Sequence, residues 1–285
     1  SPRPAPSPKG IARRDSSTSL DEPTDPTGEF VGVVTVVVEG DRARPAVALI
    51  HGIPGSVRDF RYLGPALVDA GLCAVRFDMP GFGKTPAHAF PSTKAPDRAA
   101  FVRGVMRALG FDRFAIAGHS FGGGVALLCA ALFGDDVRAL GCINSVGPRR
   151  HQGAASPAFL ARVTGDAMSL PIVGDALHRL IVAGVYDARG LKSETGLDKE
   201  AVVNHSYVIA DQHYEHLRAA CAAVRCPALV VSSVDDPLVE PASSFALARA
   251  LAAPTVTHMH SKDGGHFLQK LAARPIARWF ALQLR

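Results

Sequence analysis

The amino-acid sequence predicts an α/β protein with a doubly wound, mostly parallel sheet and a helical cap inserted between two of its strands. Short β-branched runs alternate with helical patterns from residue 29 onward, the alternation stops between about 147 and 222, and it then resumes. Such alternation is typical of parallel sheets, in which a covering helix connects each strand to the next. We therefore predict a core of residues 29–146 and 223–285 and a cap of residues 147–222.

The elements of the first half follow from their hydrophobic patterns. Continuous β-branched and apolar runs predict strands, whereas longer segments with helical spacing of apolar residues predict helices. The predicted strands are Val31–Val38, Ala46–Ile50, Cys73–Phe77, Phe114–Ala117 and Ala139–Asn144. The predicted helices between them are Asp59–Ala70, Pro96–Leu109 and Gly122–Leu132.

The second half begins with helical segments and no convincing strand, and strands then return near the C-terminus. Ala228–Ser232 and Thr255–His260 read as strands, with helices at Ala242–Ala252 and from Phe267 to about Leu284. Ligands bind at the carboxyl edge of the strands in open parallel sheets. A helical insertion between two such strands is therefore expected to cover the binding site.

The composition is that of an ordinary globular protein and excludes several function classes. The 285 residues are 47% hydrophobic and 20% charged, and the net charge is +5. The excess of basic residues is thinly spread, so we expect no nucleic-acid partner. The longest uncharged stretch, Phe114–Gly134, contains His119, Ser120 and several glycines, so we expect no membrane span.

The remaining compositional features concern the N-terminus and the cysteines. Residues 1–28 are rich in Pro and Ser and are expected to form a disordered arm. The five cysteines show no CxxC and no Cys/His metal spacing, so we expect free buried thiols and no bound metal. This usage favours a cytoplasmic protein, with an organellar or exported location after N-terminal processing left open.

One short motif carries a specific chemistry. Gly118-His119-Ser120-Phe121-Gly122 has the form G-x-S-x-G and stands directly between a predicted strand and a predicted helix. A nucleophile elbow forces its serine into a strained turn, so small neighbours are needed where backbone segments pass closely. Ser120 is therefore the candidate nucleophile.

A serine nucleophile needs a base, and the base needs an orienting acid. The strand ending at Ser232 runs into Asp235 and Asp236, and the strand ending at His260 runs into a glycine-containing loop with His266. Both groups follow the carboxyl ends of strands, as Ser120 does. We expect all of them at one edge of the sheet, with His266 as general base.

Five segments together resemble a known family. They are HGIPGS at 51–56, DMPGFGKT at 78–85, GHSFGGG at 118–124, VDDPLVEP at 234–241 and GGHFLQ at 264–269. With them the chain resembles the α/β-hydrolase superfamily over nearly everything after residue 29. It is most similar to the capped group of esterases, carbon–carbon bond hydrolases, cofactor-free haloperoxidases, epoxide hydrolases and haloalkane dehalogenases. The last two use an Asp nucleophile, so the resemblance does not extend to their chemistry.

The resemblance implies a role for each candidate residue. The catalytic acid is Asp235 or Asp236, and the position before Pro237 favours Asp236. The oxyanion hole needs two N–H donors, which the resemblance places on the backbones of Ile53 and Phe121. No cofactor is implied.

Three functions remain in competition at the level of the sequence. The first is a serine hydrolase that cleaves an ester or related acyl bond of a small apolar substrate through an acyl-enzyme. The second uses the same residues for carbon–carbon bond hydrolysis or for perhydrolysis. The third is a ligand receptor with this fold and vestigial activity, against which the complete set of Ser120, Asp236 and His266 argues.

Overall fold

The structure is a computed structural model that describes residues 27–30, 32–90, 92–154, 157–187 and 197–285. The first 26 residues of the expected disordered arm lie outside the described residues, and so does Val31, the first residue of the first predicted strand.

A seven-stranded sheet forms the centre of the protein, with the strand order β1-β3-β2-β4-β5-β6-β7. The antiparallel edge strand β1 pairs with β3, and the other neighbouring strands are parallel. The doubly wound, mostly parallel sheet predicted from the sequence is therefore confirmed. The strands are β1 (Val36–Glu39), β2 (Ala46–Ile50), β3 (Cys73–Phe77), β4 (Phe114–His119), β5 (Val137–Ile143), β6 (Ala228–Ser233) and β7 (Val256–Ser261).

Helices cover both faces of this sheet. Along β4, Phe114 and Ile116 belong to one apolar cluster whereas Ala115 and Ala117 belong to the other, because successive strand residues point to opposite faces. The first cluster is completed by α2 (Ala95–Ala108), α3 (Phe121–Leu132), α7 (Tyr214–Ala223) and α8 (Pro241–Ala250). The second is completed by α1 (Leu63–Asp69) and α9 (Ala273–Gln283).

Two helices begin later than their hydrophobic patterns predict. The segment predicted as a helix from Asp59 contains a 3-10 turn, and α1 itself begins at Leu63. Similarly, a 3-10 turn at Gly265–Phe267 precedes α9, which begins at Ala273. Pro65 and Pro275 explain both starts, because a proline fits the first turn of a helix but removes a hydrogen bond from its interior.

Between β5 and β6, the described residues form helices and no strand. α4 (Ala158–Ser169), α5 (Val173–Ile181), a π-helical turn (Val182–Tyr186) and α6 (Lys199–Ala210) precede α7. Met168, Tyr186 and Val202 form a separate small apolar cluster within this group. The Asn204 side chain of α6 donates a hydrogen bond to the Pro80 carbonyl at 3.1 Å and so ties the group to the sheet layer. The cap boundaries stay a prediction.

Among the residues described, no helix combines the length and the apolar character that crossing a membrane requires.

The packing of α9 provides a test of the fold. Phe280 is fully buried against the sheet, where a Cβ on Gly141 of β5 would lie 2.9 Å from its ring. We expect Phe280→Ala to lower the free energy of unfolding by about 3–5 kcal/mol, because it leaves a cavity in the core. The matched control is Leu282→Ala on the same helix, since Leu282 is 59% exposed. The control substitution should change the free energy of unfolding, measured by urea titration, by no more than about 0.5 kcal/mol. Equal effects of the two substitutions would contradict the packing of Phe280.

Candidate active site

Ser120 lies in a tight turn between β4 and α3 and has a strained backbone. Its φ and ψ angles are 55° and −123°, a conformation that non-glycine residues rarely adopt. A Cβ at Gly118 would lie 2.0 Å from the Gly122 carbonyl oxygen, and one at Gly122 would lie 2.3 Å from that of Ile50. The turn can therefore form only where both glycines stand, as the G-x-S-x-G motif requires.

Backbone hydrogen bonds hold Ser120 in this conformation. Its N–H donates to the Ile143 carbonyl at the end of β5 at 3.0 Å. Its own carbonyl accepts hydrogen bonds from Gly123 at 3.0 Å and from Val146 at 3.1 Å. The serine is thus fixed at the N-terminus of α3, where the helix dipole favours negative charge.

His266 and Asp236 form a buried pair on the same edge of the sheet. The Nδ1 atom of His266 lies 2.9 Å from Oδ2 and 3.0 Å from Oδ1 of Asp236. The Asp236 carboxylate also accepts hydrogen bonds from the backbone N–H groups of Leu238 at 2.8 Å and Val239 at 3.0 Å. Burial alone would raise the pKa of Asp236, but the hydrogen bond and charge of His266, together with the hydrogen bonds from Asn144 and from the Val239 N–H, outweigh it and lower the pKa.

The Asp235 carboxylate has a different set of partners from that of Asp236. Asp235 accepts hydrogen bonds from the backbone N–H of Gly265 at 2.8 Å and of Gly264 at 3.3 Å, and from the Ser233 hydroxyl. The bond from Ser233 and then that from Gly265 lower the pKa of this exposed carboxyl. Asp235 therefore holds the loop that carries His266, whereas Asp236 contacts its ring.

Asn144 joins these groups and was missed by the sequence reasoning. Its fully buried side chain donates to Asp236 Oδ2 at 2.6 Å and to the Gly265 carbonyl at 3.1 Å, and its φ is 42°. The sequence placed it as the last residue of the predicted strand Ala139–Asn144. The one available signal was an amide side chain at the carboxyl end of an apolar strand, the edge that also carries Ser120.

His119 connects the serine turn with the histidine loop. Its Nε2 atom donates to the backbone carbonyl of His266 at 2.7 Å, and the two rings lie 4.7 Å apart. Burial lowers the pKa of His119 to about 3, so the ring is neutral at physiological pH. The described residues include no hydrogen bond between the Ser120 hydroxyl and His266. The two side chains therefore lie at the same edge of the sheet without a hydrogen bond between them.

The loop that contains Ile53 is held beside the serine. His51 Nε2 accepts a hydrogen bond from the Met79 N–H at 2.9 Å, so its Nδ1 carries the proton that is donated to the Gly52 carbonyl at 2.6 Å. Burial lowers the pKa of His51, which keeps this ring neutral. The Phe121 N–H lies in the first turn of α3, where helix N–H groups have no partner within the helix.

A cavity of about 360 Å³ opens at Ser120, Ile53 and Phe121. This size is typical of small-molecule sites. Most of its lining is apolar and comes from the helices between β5 and β6, among them Leu160, Ala161, Leu177, Ile181, Val185 and Ile209. The candidate site is therefore a largely apolar chamber with the strained serine in its wall.

Comparison with known proteins agrees with this architecture. Residues 45–168 match a family model described as alpha/beta hydrolase fold. A thermophilic esterase from Thermogutta terrifontis superimposes with a TM-score of 0.70 at 17% identity, over 88% of this chain and 94% of that one. These findings confirm the α/β-hydrolase fold that the five motifs predicted.

Two curated relatives share part of the sequence. The chain is 27% identical over 249 residues to the dihydrolipoyllysine-residue acetyltransferase component of the acetoin cleaving system of Pseudomonas putida, which covers 86% of this chain and 65% of that protein. It is 36% identical over 86 residues to 2-hydroxy-6-oxo-6-phenylhexa-2,4-dienoate hydrolase of Comamonas testosteroni, which covers 29% of this chain and 30% of that protein. The chain thus spans less than two thirds of either relative.

The strained turn can be tested with glycine substitutions. We expect Gly122→Ala to lower the free energy of unfolding by more than about 3 kcal/mol, because its Cβ would overlap the Ile50 carbonyl. The control is Gly134→Ala, where the nearest atom to a new Cβ lies at 3.4 Å. Chemical denaturation of both variants checks this, and a Gly122→Ala variant as stable as the control would contradict the geometry.

The neutral buried ring of His119 predicts a dependence of stability on pH. Its pKa is about 3 in the folded state, against about 6.5 in an unfolded chain, so the unfolded state binds more protons as the pH falls below about 6.5. We expect this histidine to remove about 1.4 kcal/mol of stability between pH 7.5 and pH 5.5. Urea titrations at both pH values should therefore show a smaller loss for His119→Gln than for the wild type. Equal losses of stability in the two proteins would contradict the assignment of His119 as a buried, neutral ring.

Proposed function

Since the chain has the α/β-hydrolase fold, we propose that it is a serine hydrolase that cleaves an ester or related acyl bond of a small apolar substrate. The observation that carries this proposal is the strained Ser120 turn, which shares one sheet edge with the His266–Asp236 pair and faces a largely apolar cavity. Ser120, His266 and Asp236 would form the catalytic triad, with the backbone N–H groups of Ile53 and Phe121 as the oxyanion hole.

Acylation follows from this arrangement. Ser120 Oγ attacks the substrate carbonyl carbon while His266 Nε2 takes the hydroxyl proton, and Asp236 stabilises the imidazolium that forms. The negative charge develops on the carbonyl oxygen, where two backbone N–H groups stabilise it. When the tetrahedral intermediate collapses, His266 gives the proton to the leaving alcohol and the acyl group remains on Ser120.

Deacylation repeats the same steps with water. His266 takes a proton from the water as its oxygen attacks the acyl carbon, and the bond to Ser120 Oγ breaks as the proton returns to that oxygen. The carboxylic acid leaves and the serine is restored. In this scheme the chain's own groups perform every proton transfer.

A second candidate is the hydrolysis of a carbon–carbon bond by the same residues. It is favoured by the 36% identity with the Comamonas testosteroni hydrolase, although that similarity covers only 29% of this chain. Comparing p-nitrophenyl esters of different chain length with a vinylogous diketone as substrates would discriminate between the two. Cleavage of the diketone but not of the esters would favour carbon–carbon bond hydrolysis over ester hydrolysis.

The two neighbouring aspartates offer a matched kinetic test. We expect Asp236→Asn to lower kcat for a p-nitrophenyl ester by about 10⁴-fold, because an amide cannot stabilise the His266 imidazolium. We expect Asp235→Asn to lower kcat by less than about tenfold, because it changes only the loop contacts of an exposed side chain.

The outcomes of this test separate the competing functions. A larger loss of kcat in Asp235→Asn than in Asp236→Asn would assign the role of catalytic acid to Asp235. An unchanged rate in Ser120→Ala would refute the serine mechanism, and ligand-induced stabilisation of the wild type without any turnover would indicate a receptor.

A further inference from the structure

Exposed apolar side chains are concentrated on two helices that border the cavity. Of the fourteen large apolar side chains that are exposed in the described part of the chain, eight lie between residues 159 and 185. They are Phe159, Leu160, Val163, Leu170, Ile172, Val173, Leu180 and Val185, which together we call the α4–α5 surface. Soluble monomers usually scatter such residues singly, and a concentration of them marks a surface that binds a partner or a membrane.

The spacing of these side chains places them on one stripe of each helix. Phe159 and Val163 are four residues apart on α4, and Val173 and Leu180 are seven residues apart on α5, so each pair lies on one helix face. The two helices pack against each other. The two apolar stripes therefore belong to adjacent helices.

A strained turn between the two helices adds to this surface. Ile172 has φ and ψ angles of 65° and −62°, and the Val173 N–H donates to the Pro171 carbonyl at 2.7 Å. This geometry is that of a γ-turn that is rare and strained, above all for a β-branched residue. Ile172 is nevertheless 86% exposed, more than any other large apolar side chain in the described part of the chain. The strain is thus accepted at a position where the side chain gains no contact inside the protein.

The α4–α5 surface continues into the cavity. Leu160 and Val185 are exposed and also line the cavity at Ser120. Leu177 and Ile181 of α5 lie deeper in the same lining, and none of the described lining residues is Lys, Arg, Asp or Glu. An acyl chain can therefore pass from this surface towards Ser120 along apolar side chains.

The charges of the two helices are balanced. Residues 158–181 contain two arginines and two aspartates. Arg162 forms an ion pair with Asp211, and Asp175 forms one with Lys199 at 2.8 Å. The surface therefore offers apolar area and no excess of charge, which favours an uncharged partner over an anionic one.

We propose that the α4–α5 surface docks on an uncharged lipid layer, from which a water-insoluble acyl ester enters the cavity, an inference that rests on the proposed serine hydrolase function. A protein partner or a second copy of the chain seated here would cover the cavity wall at Leu160 and Val185. A fluid lipid layer covers the same apolar side chains and also supplies the substrate. Such binding grows with the apolar area that is buried in the lipid.

Sedimentation with phosphatidylcholine vesicles tests the docking without any turnover. The test variant carries Phe159→Gln, Ile172→Asn and Leu180→Gln, at positions that are 69–86% exposed and do not line the cavity. The matched control carries Leu271→Gln, Val33→Asn and Leu282→Gln, at positions that are 59–75% exposed elsewhere on the protein. We expect the wild type and the control to bind the vesicles, and the test variant to bind at least about tenfold more weakly.

Activity on two esters connects the docking with the proposed function. We expect the test variant to hydrolyse p-nitrophenyl palmitate carried in the vesicles at least about tenfold more slowly than the wild type does. Its kcat/KM for soluble p-nitrophenyl butyrate should stay within about twofold of the wild-type value, because none of the three positions lines the cavity. Unchanged hydrolysis of the soluble ester also shows that the variant is folded.

The two measurements separate failure of the docking from failure of the proposed function. Absence of vesicle binding in the wild type, equal binding of the two triple variants, or binding that requires added phosphatidylserine would overturn the docking. If the soluble ester is still cleaved in a way that depends on Ser120, the hydrolase proposal stands in each of these cases. Vesicle binding that is lost in the test variant supports the docking even if no ester is cleaved. A dimer in analytical ultracentrifugation that dissociates in the test variant would instead assign the surface to a second copy of the chain.

Discussion

The turn between β4 and α3 can close only if three backbone segments approach one another more closely than side chains allow. Gly118 and Gly122 provide that approach, and the cost is carried by Ser120 at a φ of 55°. Hydrogen bonds from the ends of β5 and α3 hold the strained residue in place. The position of the hydroxyl at the sheet edge, and thus the proposed chemistry, depends on this constraint.

A second network extends from the same edge. Asn144 follows β5, whose last residue accepts the Ser120 N–H, and its side chain reaches both Asp236 and the loop of His266. Asp235 and His119 each hold that loop from another side. Three loops that follow different strands are therefore joined through buried polar contacts, which keep the candidate residues together although they are far apart in sequence.

Local sequence patterns predicted what depends on local structure. The bounds of the strands Ala46–Ile50 and Cys73–Phe77 agree with the structure, and the elbow was predicted because its glycines are adjacent to Ser120. The starts of α1 and α9 differ because Pro65 and Pro275 limit helix growth, a signal that was present but weaker than hydrophobic periodicity.

Long-range contacts account for what the sequence could not provide. The position before Pro237 favours Asp236 without excluding Asp235, because adjacent residues share the same pattern, and only their different hydrogen bonds separate them. Asn144 becomes part of the candidate site through hydrogen bonds to Asp236 and Gly265, which lie 92 and 121 residues further along the chain. No spacing along the chain indicates such relations.

The central claim is that Ser120 is the nucleophile. Peptide mass spectrometry after treatment with a fluorophosphonate tests this most directly. The account predicts a single adduct on the peptide with Ser120 that is absent in Ser120→Ala, whereas no adduct, or an adduct on another residue, would contradict it.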